Sequence, residues 1–448
     1  MNEKNQLELF SSGKVSEAVL KNAIPAMIAS LMVLVYNLAD TFFIGRINDD
    51  LQVAAVAMCT PVFLVFNAIG TIYGVGGTSV IARAMGEGRT EYAKKVSSFC
   101  MWSCVTIGVI LSAIFLLNMD SLLTLMGVSA DVWDYAKSYM IIVTFCGTFV
   151  LISNCYSNVV RAEGQAKVAM MGMMLGNIVN IVLDPIMISG FGWEIKGAAV
   201  ATVIGNVVAA VYYLLYFKKG ESLLSINPKD FTMGEGIFKN VYAIGVPAAL
   251  GGLLMSVSQV LLNSKMIQYG DMAVAGMGVA SKVTMITGMV CIGLGQGVQP
   301  LLGYCVGAKN WERFRKSLNF SLTFALALSV VMTGVCYLLT GQIVNIVLSN
   351  ADAYEYGCHF ARILLTTSFL FGVYYVFTNT LQAMGAAIPS LVINLSRQGL
   401  LFIPALLILE SKIGLDGLLW AQPVVDVLSV LLAVVMYIPI YRKMSANK

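Results

Sequence analysis

The feature that most constrains this chain is a series of apolar stretches, each long enough to cross a bilayer. A helix needs about 20 predominantly apolar residues to span the hydrocarbon core. Such stretches run at 17–45, 51–82, 95–118, 136–160, 166–190 and 197–217, and again at 238–269, 273–306, 317–340, 357–384, 388–410 and 416–440. Hydrophobic residues make up 58% of the chain and charged residues 12%. That is about half the charge fraction of a soluble domain, and so much apolar surface cannot be hidden inside one globule of 448 residues. The expected fold class is an all-α polytopic membrane protein with 12 transmembrane helices. The opening residues are polar, with Lys4, Lys14 and Lys21, so no cleavable signal peptide is expected.

Charge gives an orientation. Lys and Arg gather at cytoplasmic helix ends. Here they cluster at the N-terminus, after the second stretch (Arg83, Arg89, Lys94, Lys95) and after the fourth (Arg161, Lys167). They recur between the sets (Lys218, Lys219, Lys229, Lys239), after the eighth stretch (Lys309, Arg313, Arg315, Lys316) and at the C-terminus (Arg442, Lys443, Lys448). The alternate loops are acidic, with Asp49 and Asp50, Asp131 and Asp134, Glu194, Asp271, Asp352 and Glu355, and Asp416. Only the loop around Gly385 breaks the alternation, having no basic residue. Both termini are therefore expected in the cytoplasm of a cell-membrane protein.

The two sets of stretches repeat one another. Gly74-Val75-Gly76, Gly86, Glu91, Lys94 and Lys95 recur as Gly295-Gln296-Gly297, Gly307, Glu312, Arg315 and Lys316, 221 residues on. Asn158 to Gly164 matches Asn379 to Gly385 at the same offset. Between the sets lies a polar segment from Lys218 to Gly236 that includes Glu221 and Pro228. The expected domains are residues 1–217, a cytoplasmic linker at 218–236, and residues 237–448. Each half has an even number of spans, so the repeat is parallel, and a site near mid-membrane is expected.

Ionisable residues inside a membrane are costly and usually mark function. Four stand out: Asp40, Asp184, Lys282 and Asp426. Asn177, Asn180 and Asp184 are spaced i, i+3, i+7 and form one polar stripe on an otherwise apolar helix. Pro185 lacks an N–H and frees the carbonyl of Ile181. A carboxylate, an amide oxygen and a free carbonyl within two turns suit a hard cation, and the carboxylate would equally suit a proton. Asn and Asp also bond across helices; that is the expected role of Asn177, whereas the charge of Asp184 makes it poor glue. Asp40 has Tyr36 and Asn37 one turn earlier, although a place near the outer helix end would also account for it. Thr202 can offer a hydroxyl. Lys282 either snorkels or pairs with a carboxylate, and Asp426 has no evident partner. The repeat aligns Asp40 with Leu262, Asn180 with Gly399 and Asp184 with Ile403, so the acidic stripe belongs to the first half alone.

Other classes lose support. No Gly-x-x-x-x-Gly-Lys-Ser/Thr motif marks an ATPase, and Gly74 to Gly77 reads as close helix packing. No Asp-rich diphosphate pattern or pore-loop motif occurs. The single histidine, His359, rules against a histidine-based metal site or triad. The nine cysteines lie in apolar stretches and read as small packing residues. No enzyme activity, cofactor or nucleic-acid partner is expected.

Ala39-Asp40-Thr41-Phe42-Phe43-Ile44-Gly45, Gly74-Val75-Gly76-Gly77-Thr78, Arg161-Ala162-Glu163-Gly164, Asn180-Ile181-Val182-Leu183-Asp184-Pro185 and Gly295-Gln296-Gly297-Val298-Gln299-Pro300 occur in this order. With these motifs the chain resembles the multidrug and toxic compound extrusion (MATE) family, in its DinF-like branch. The resemblance implies two six-helix bundles arranged as a V, exporting mostly cationic organic compounds by antiport with Na+ or H+. It also implies that Asp40, Asn180, Asp184 and Thr202 form the cation or proton site. Tyr36, Asn37 and Asn177 would support it. Another branch of the family uses a carboxylate in the seventh helix, where this chain has Ser256, Ser258 and Gln259. The expected function is an ion-coupled multidrug exporter, monomeric, with small organic substrates and lipid neighbours. A lipid-linked saccharide flippase would need several basic residues in its cavity, where Lys282 stands alone. A non-transporting receptor or scaffold would have no need of carboxylates buried in one half.

Overall fold

A computed structural model describes residues 4–47, 49–220, 222–348 and 350–446. Glu221, Lys448 and the side chain of Lys4 lie outside the described residues. No β-strand occurs among them. In the first half, helices α1 (Val15–Gly45), α2 (Asp50–Gly86) and α3 (Thr90–Leu117) are followed by a bent pair, α4 (Trp133–Phe145 and Gly147–Ala162). Then come α5 (Ala166–Pro185) and α6 (Glu194–Lys218). The second half repeats this order with α7 (Ile237–Met266), α8 (Asp271–Gly307) and α9 (Trp311–Val347). A second bent pair, α10 (Ala351–Leu365 and Phe371–Ala383), precedes α11 (Ala387–Leu395 and Phe402–Ile413) and α12 (Leu415–Ala446). Among the described residues ten helices are long and apolar enough to span a membrane, or 12 when each bent pair is taken as one span. The chain is a multi-pass membrane protein.

The stretches at 136–160 and 357–384, each read as one span, are broken, by 53° at Cys146 and by 40° between Leu365 and Ser368. A break frees carbonyls that lipid cannot satisfy. Here a serine from the third helix of the same half donates to one of them. Ser112 Oγ on α3 donates to the Thr144 carbonyl at 2.7 Å, and Ser329 Oγ on α9 donates to the Phe369 carbonyl at 2.6 Å. Bonds of this kind between membrane helices contribute roughly 0.6–1.7 kcal/mol each.

The chain divides into two compact units whose borders fall inside helices. The first is built on Met32–Gly245 and the second on Leu9–Leu31 with Val246–Lys448. Thus the start of α1 belongs to the second unit and the start of α7 to the first. The duplicated glycine motifs account for this. In the first unit Gly76 on α2 abuts the Val241 carbonyl of α7, leaving no room for a Cβ. In the second unit a Cβ on Gly297 of α8 would stand 2.6 Å from Ala23 Cα of α1. Around it Ala18, Val19 and Ala23 pack against Leu294, Val298 and Leu301.

The segment after α6 is pinned to the first unit. Buried Glu163, at the end of α4, accepts hydrogen bonds from Tyr216 Oη at 2.8 Å, Ser222 Oγ at 2.8 Å and the Leu223 N–H at 3.0 Å. Ser98 Oγ and Trp102 Nε1 on α3 donate to the carbonyls of Asn227 and Ile226 at 2.7 and 3.1 Å.

Candidate functional site

In the first unit α5 and α6 approach closely at two glycines. A Cβ on Gly176 would lie 2.7 Å from the Gly205 carbonyl oxygen, and one on Gly205 2.6 Å from that of Gly176. This approach aligns the polar stripe of α5 with Thr202 of α6. Asn180 Nδ2 donates to Thr202 Oγ1 at 3.2 Å. Asp184 is fully buried, and Asn180 and Thr202 are 3% and 6% exposed. Asp40 and Tyr36 reach the same place from α1: the charge of Asp40 acts on Asp184, and Tyr36 lies within reach of Asp40, Thr202 and Asp184.

Four acceptors of this cluster lack donors. Both carboxylate oxygens of Asp184, Oδ1 of Asp40 and Oδ1 of Asn180 are buried without a hydrogen-bond partner. Buried polar atoms are nearly always paired, and two neighbouring carboxylates cannot both stay charged without compensation. Four oxygen acceptors with no donor fit a proton or a hard cation such as Na+, which take oxygen ligands. No cluster of three or more His, Cys, Asp or Glu suited to a transition metal occurs among the described residues.

Beside this cluster lies a cavity of 370 Å³ whose wall includes Tyr36, Asn37, Asn177, Asn180 and Thr202. Asp40 and Asp184 are not in that wall. Asn67, Asn154 and Asn206 are, and sequence reasoning did not single them out. Asn154 Nδ2 bonds the Asn67 carbonyl at 3.0 Å, and Asn206 Nδ2 the Thr202 carbonyl at 2.9 Å. Tyr139 on α4 also went unnoticed: it lies within electrostatic reach of Asp40, Tyr36 and Asp184. Nothing in its local sequence marks it, because only the tertiary fold brings α4 to this place.

The second unit gathers the other candidates at a different site. Asp426 does have a partner: buried Arg397 contacts Asp426 Oδ1 through Nε and Nη2, both at 3.0 Å. Gln422 Nε2 donates to the same oxygen at 2.8 Å and Thr367 Oγ1 to Oδ2 at 3.1 Å. Arg397 sits in a π-helical turn, Ser396–Leu400, that interrupts α11; such turns frequently mark functional positions. The polar run Ser396-Arg397-Gln398 inside an apolar span was the available signal. Lys282 is exposed and forms no ion pair among the described residues, so it is not the partner of a carboxylate. Gln259 is exposed too, its amide donating to Asn263 Oδ1 at 3.3 Å.

The family model MatE matches residues 25–186 and 247–407, once in each half. The chain belongs to the MatE family. Its MatE relatives include the multidrug export protein MepA of Staphylococcus haemolyticus, 28% identical over 447 residues and aligned over 99% of this chain and 98% of that protein. MepA of Staphylococcus aureus is 28% identical over 428 residues, covering 96% and 94%. Among solved structures, an outward-facing multidrug resistance MATE family transporter of the MOP superfamily shares 26% identity at a TM-score of 0.92, with 98% of each chain covered. A MOP superfamily transporter from Pyrococcus furiosus, described as having a binding pocket of reversed polarity, shares 25% identity at 0.90, again over 98% of both chains.

Proposed function

We propose that this protein is a secondary-active multidrug exporter that antiports organic, mostly cationic compounds against H+ or Na+. The observation that carries this reading is the set of unpartnered acceptors at Asp184, Asp40 and Asn180, buried together in a family whose relatives are exporters. In this reading Asp40, Asn180, Asp184 and Thr202 hold the coupling ion. Tyr36, Asn37 and Asn177 shape the neighbouring cavity. The protein cycles between two states, one open to the cytoplasm or inner leaflet and one open outward. Substrate and ion bind the two states unequally, which is what lets one gradient drive the other. Ion binding at the two carboxylates favours the state that releases substrate. No bond is made or broken, so the protein is a carrier rather than an enzyme and works as a monomer without a bound cofactor.

The test is efflux of a fluorescent organic cation from proteoliposomes, with Na+ and pH gradients imposed separately. One gradient should accelerate efflux over protein-free liposomes. No response to either gradient would defeat the antiport reading and favour a flippase or a receptor.

The proposed location is the cell membrane, with residues 1–217 and 237–448 as the two lobes and the linker and both termini cytoplasmic. The basic loops support it. Single cysteines placed by Ser225→Cys or Ser445→Cys in a cysteine-free background should resist an impermeant thiol reagent added to intact cells. Labelling of Ser225→Cys from outside would reverse the orientation.

A further inference from the structure

The second unit holds its own cavity, of 350 Å³, which the coupling site does not use. Its wall is mostly apolar, with Met255, Met277, Met285, Met289, Phe371 and Phe402. Two side chains that carry charge line it, Lys282 and Arg397, and no carboxylate does among the described residues. Arg397 is already committed. It is paired with Asp426, donates to Tyr375 Oη at 3.3 Å, and stacks on the Tyr374 ring at 4.6 Å. Lys282 is not: it stands exposed in the wall with no ion pair among the described residues.

The wall hydroxyls are partly spent as well. Ser258 Oγ donates to the Gln398 carbonyl, and Thr284 Oγ1 to the Ser281 carbonyl at 3.0 Å. That leaves one free ammonium beside a methionine and aromatic surface, with Ser281 and Gln398 also in the wall. Methionines adapt to ligands of varied shape, and the volume lies in the range of small-molecule sites. The first unit's cavity is the reverse, amide-lined with two carboxylates beside it.

We propose that the second unit's cavity binds an amphipathic organic anion, its carboxylate or sulfonate on Lys282 and its apolar body on the methionine wall. This goes beyond export of cations, since it gives the protein a site for acidic or zwitterionic compounds.

The probe is 1-naphthylacetate, compared with the neutral and nearly isosteric 1-naphthylacetamide, by equilibrium dialysis against the full-length protein in dodecyl maltoside. The acid should bind at least about ten-fold more tightly than the amide. Lys282→Gln should remove that preference and Lys282→Arg should keep it. Met289→Trp, which fills the cavity, should weaken both probes. Each variant must elute as a monodisperse peak on size exclusion, and retention of the preference by Lys282→Arg guards against a folding defect. Equal binding of acid and amide by the wild type, or a preference that survives in Lys282→Gln, would overturn the proposal. Displacement of the bound acid by soluble 2-naphthalenesulfonate supports it. Displacement by phosphatidylglycerol alone would assign the site to a lipid headgroup and overturn it. Binding in detergent needs no gradient, so failure here leaves the antiport reading standing.

Discussion

Asp40→Asn and Asp184→Asn should each reduce gradient-driven efflux to the level of protein-free liposomes, and the double variant should be no worse than either alone. Both carboxylates present unpartnered acceptors to one buried cluster, and the charge of Asp40 is felt at Asp184. Two carboxylates that share one ion act as a unit, so removing one leaves the other without the exchange it takes part in. The amide keeps the shape of the side chain but can neither gain and lose a proton nor offer a full negative charge to Na+. The fold should survive, because Asp184 makes no hydrogen bond in the structure for the amide to break. The measurement is efflux rate against pH and Na+ for the wild type, both single variants and the double. Additive losses would separate the two carboxylates into independent sites, and near-normal efflux by Asp184→Asn would remove that residue from the mechanism.

Asp426→Asn should behave in the opposite way, losing stability first. Asp426 and Arg397 are 2% and 5% exposed and form a buried ion pair with two further donors on the carboxylate. Removing one partner strands the other charge, which typically costs about 3–5 kcal/mol. Replacing both by apolar groups of similar volume is often neutral or stabilising. Asp426→Asn and Arg397→Met should therefore each lower the thermal midpoint of the purified protein. The double variant Asp426→Leu with Arg397→Met should recover it. Reconstituted Asp426→Asn that folds should retain much more coupled efflux than Asp184→Asn. A larger transport loss at Asp426, with unchanged stability, would move the coupling site into the second unit.

What the sequence disclosed depends on how local each feature is. The spans follow from apolar length, and the stripe of Asn177, Asn180 and Asp184 from helical period, so both can be read without neighbours. The breaks in α4 and α10 could not be. No proline marks either one, and each carbonyl is bonded by a serine on another helix. Asn180 meets Thr202 because Gly176 and Gly205 let two backbones touch, a pairing that spans the loop between α5 and α6. Arg397 was readable as an arginine inside an apolar span. Its pairing with Asp426 was not, because the two stand 29 residues apart on different helices and only the tertiary fold joins them. Tyr139 carries no local mark at all.

The borders of the compact units inside α1 and α7 bear on whether either half is complete alone. A polypeptide with only the first half would carry Gly76 with nothing to lie against it, since Val241 belongs to the other half. Its own opening helix would have no partner, because Ala18 and Ala23 pack against Leu294 and Val298 of the second half. Two copies of such a half could meet both needs by exchanging their opening segments, as domain-swapped dimers do. The borders thus make the two halves interdependent: neither completes its compact unit without the opening segment of the other.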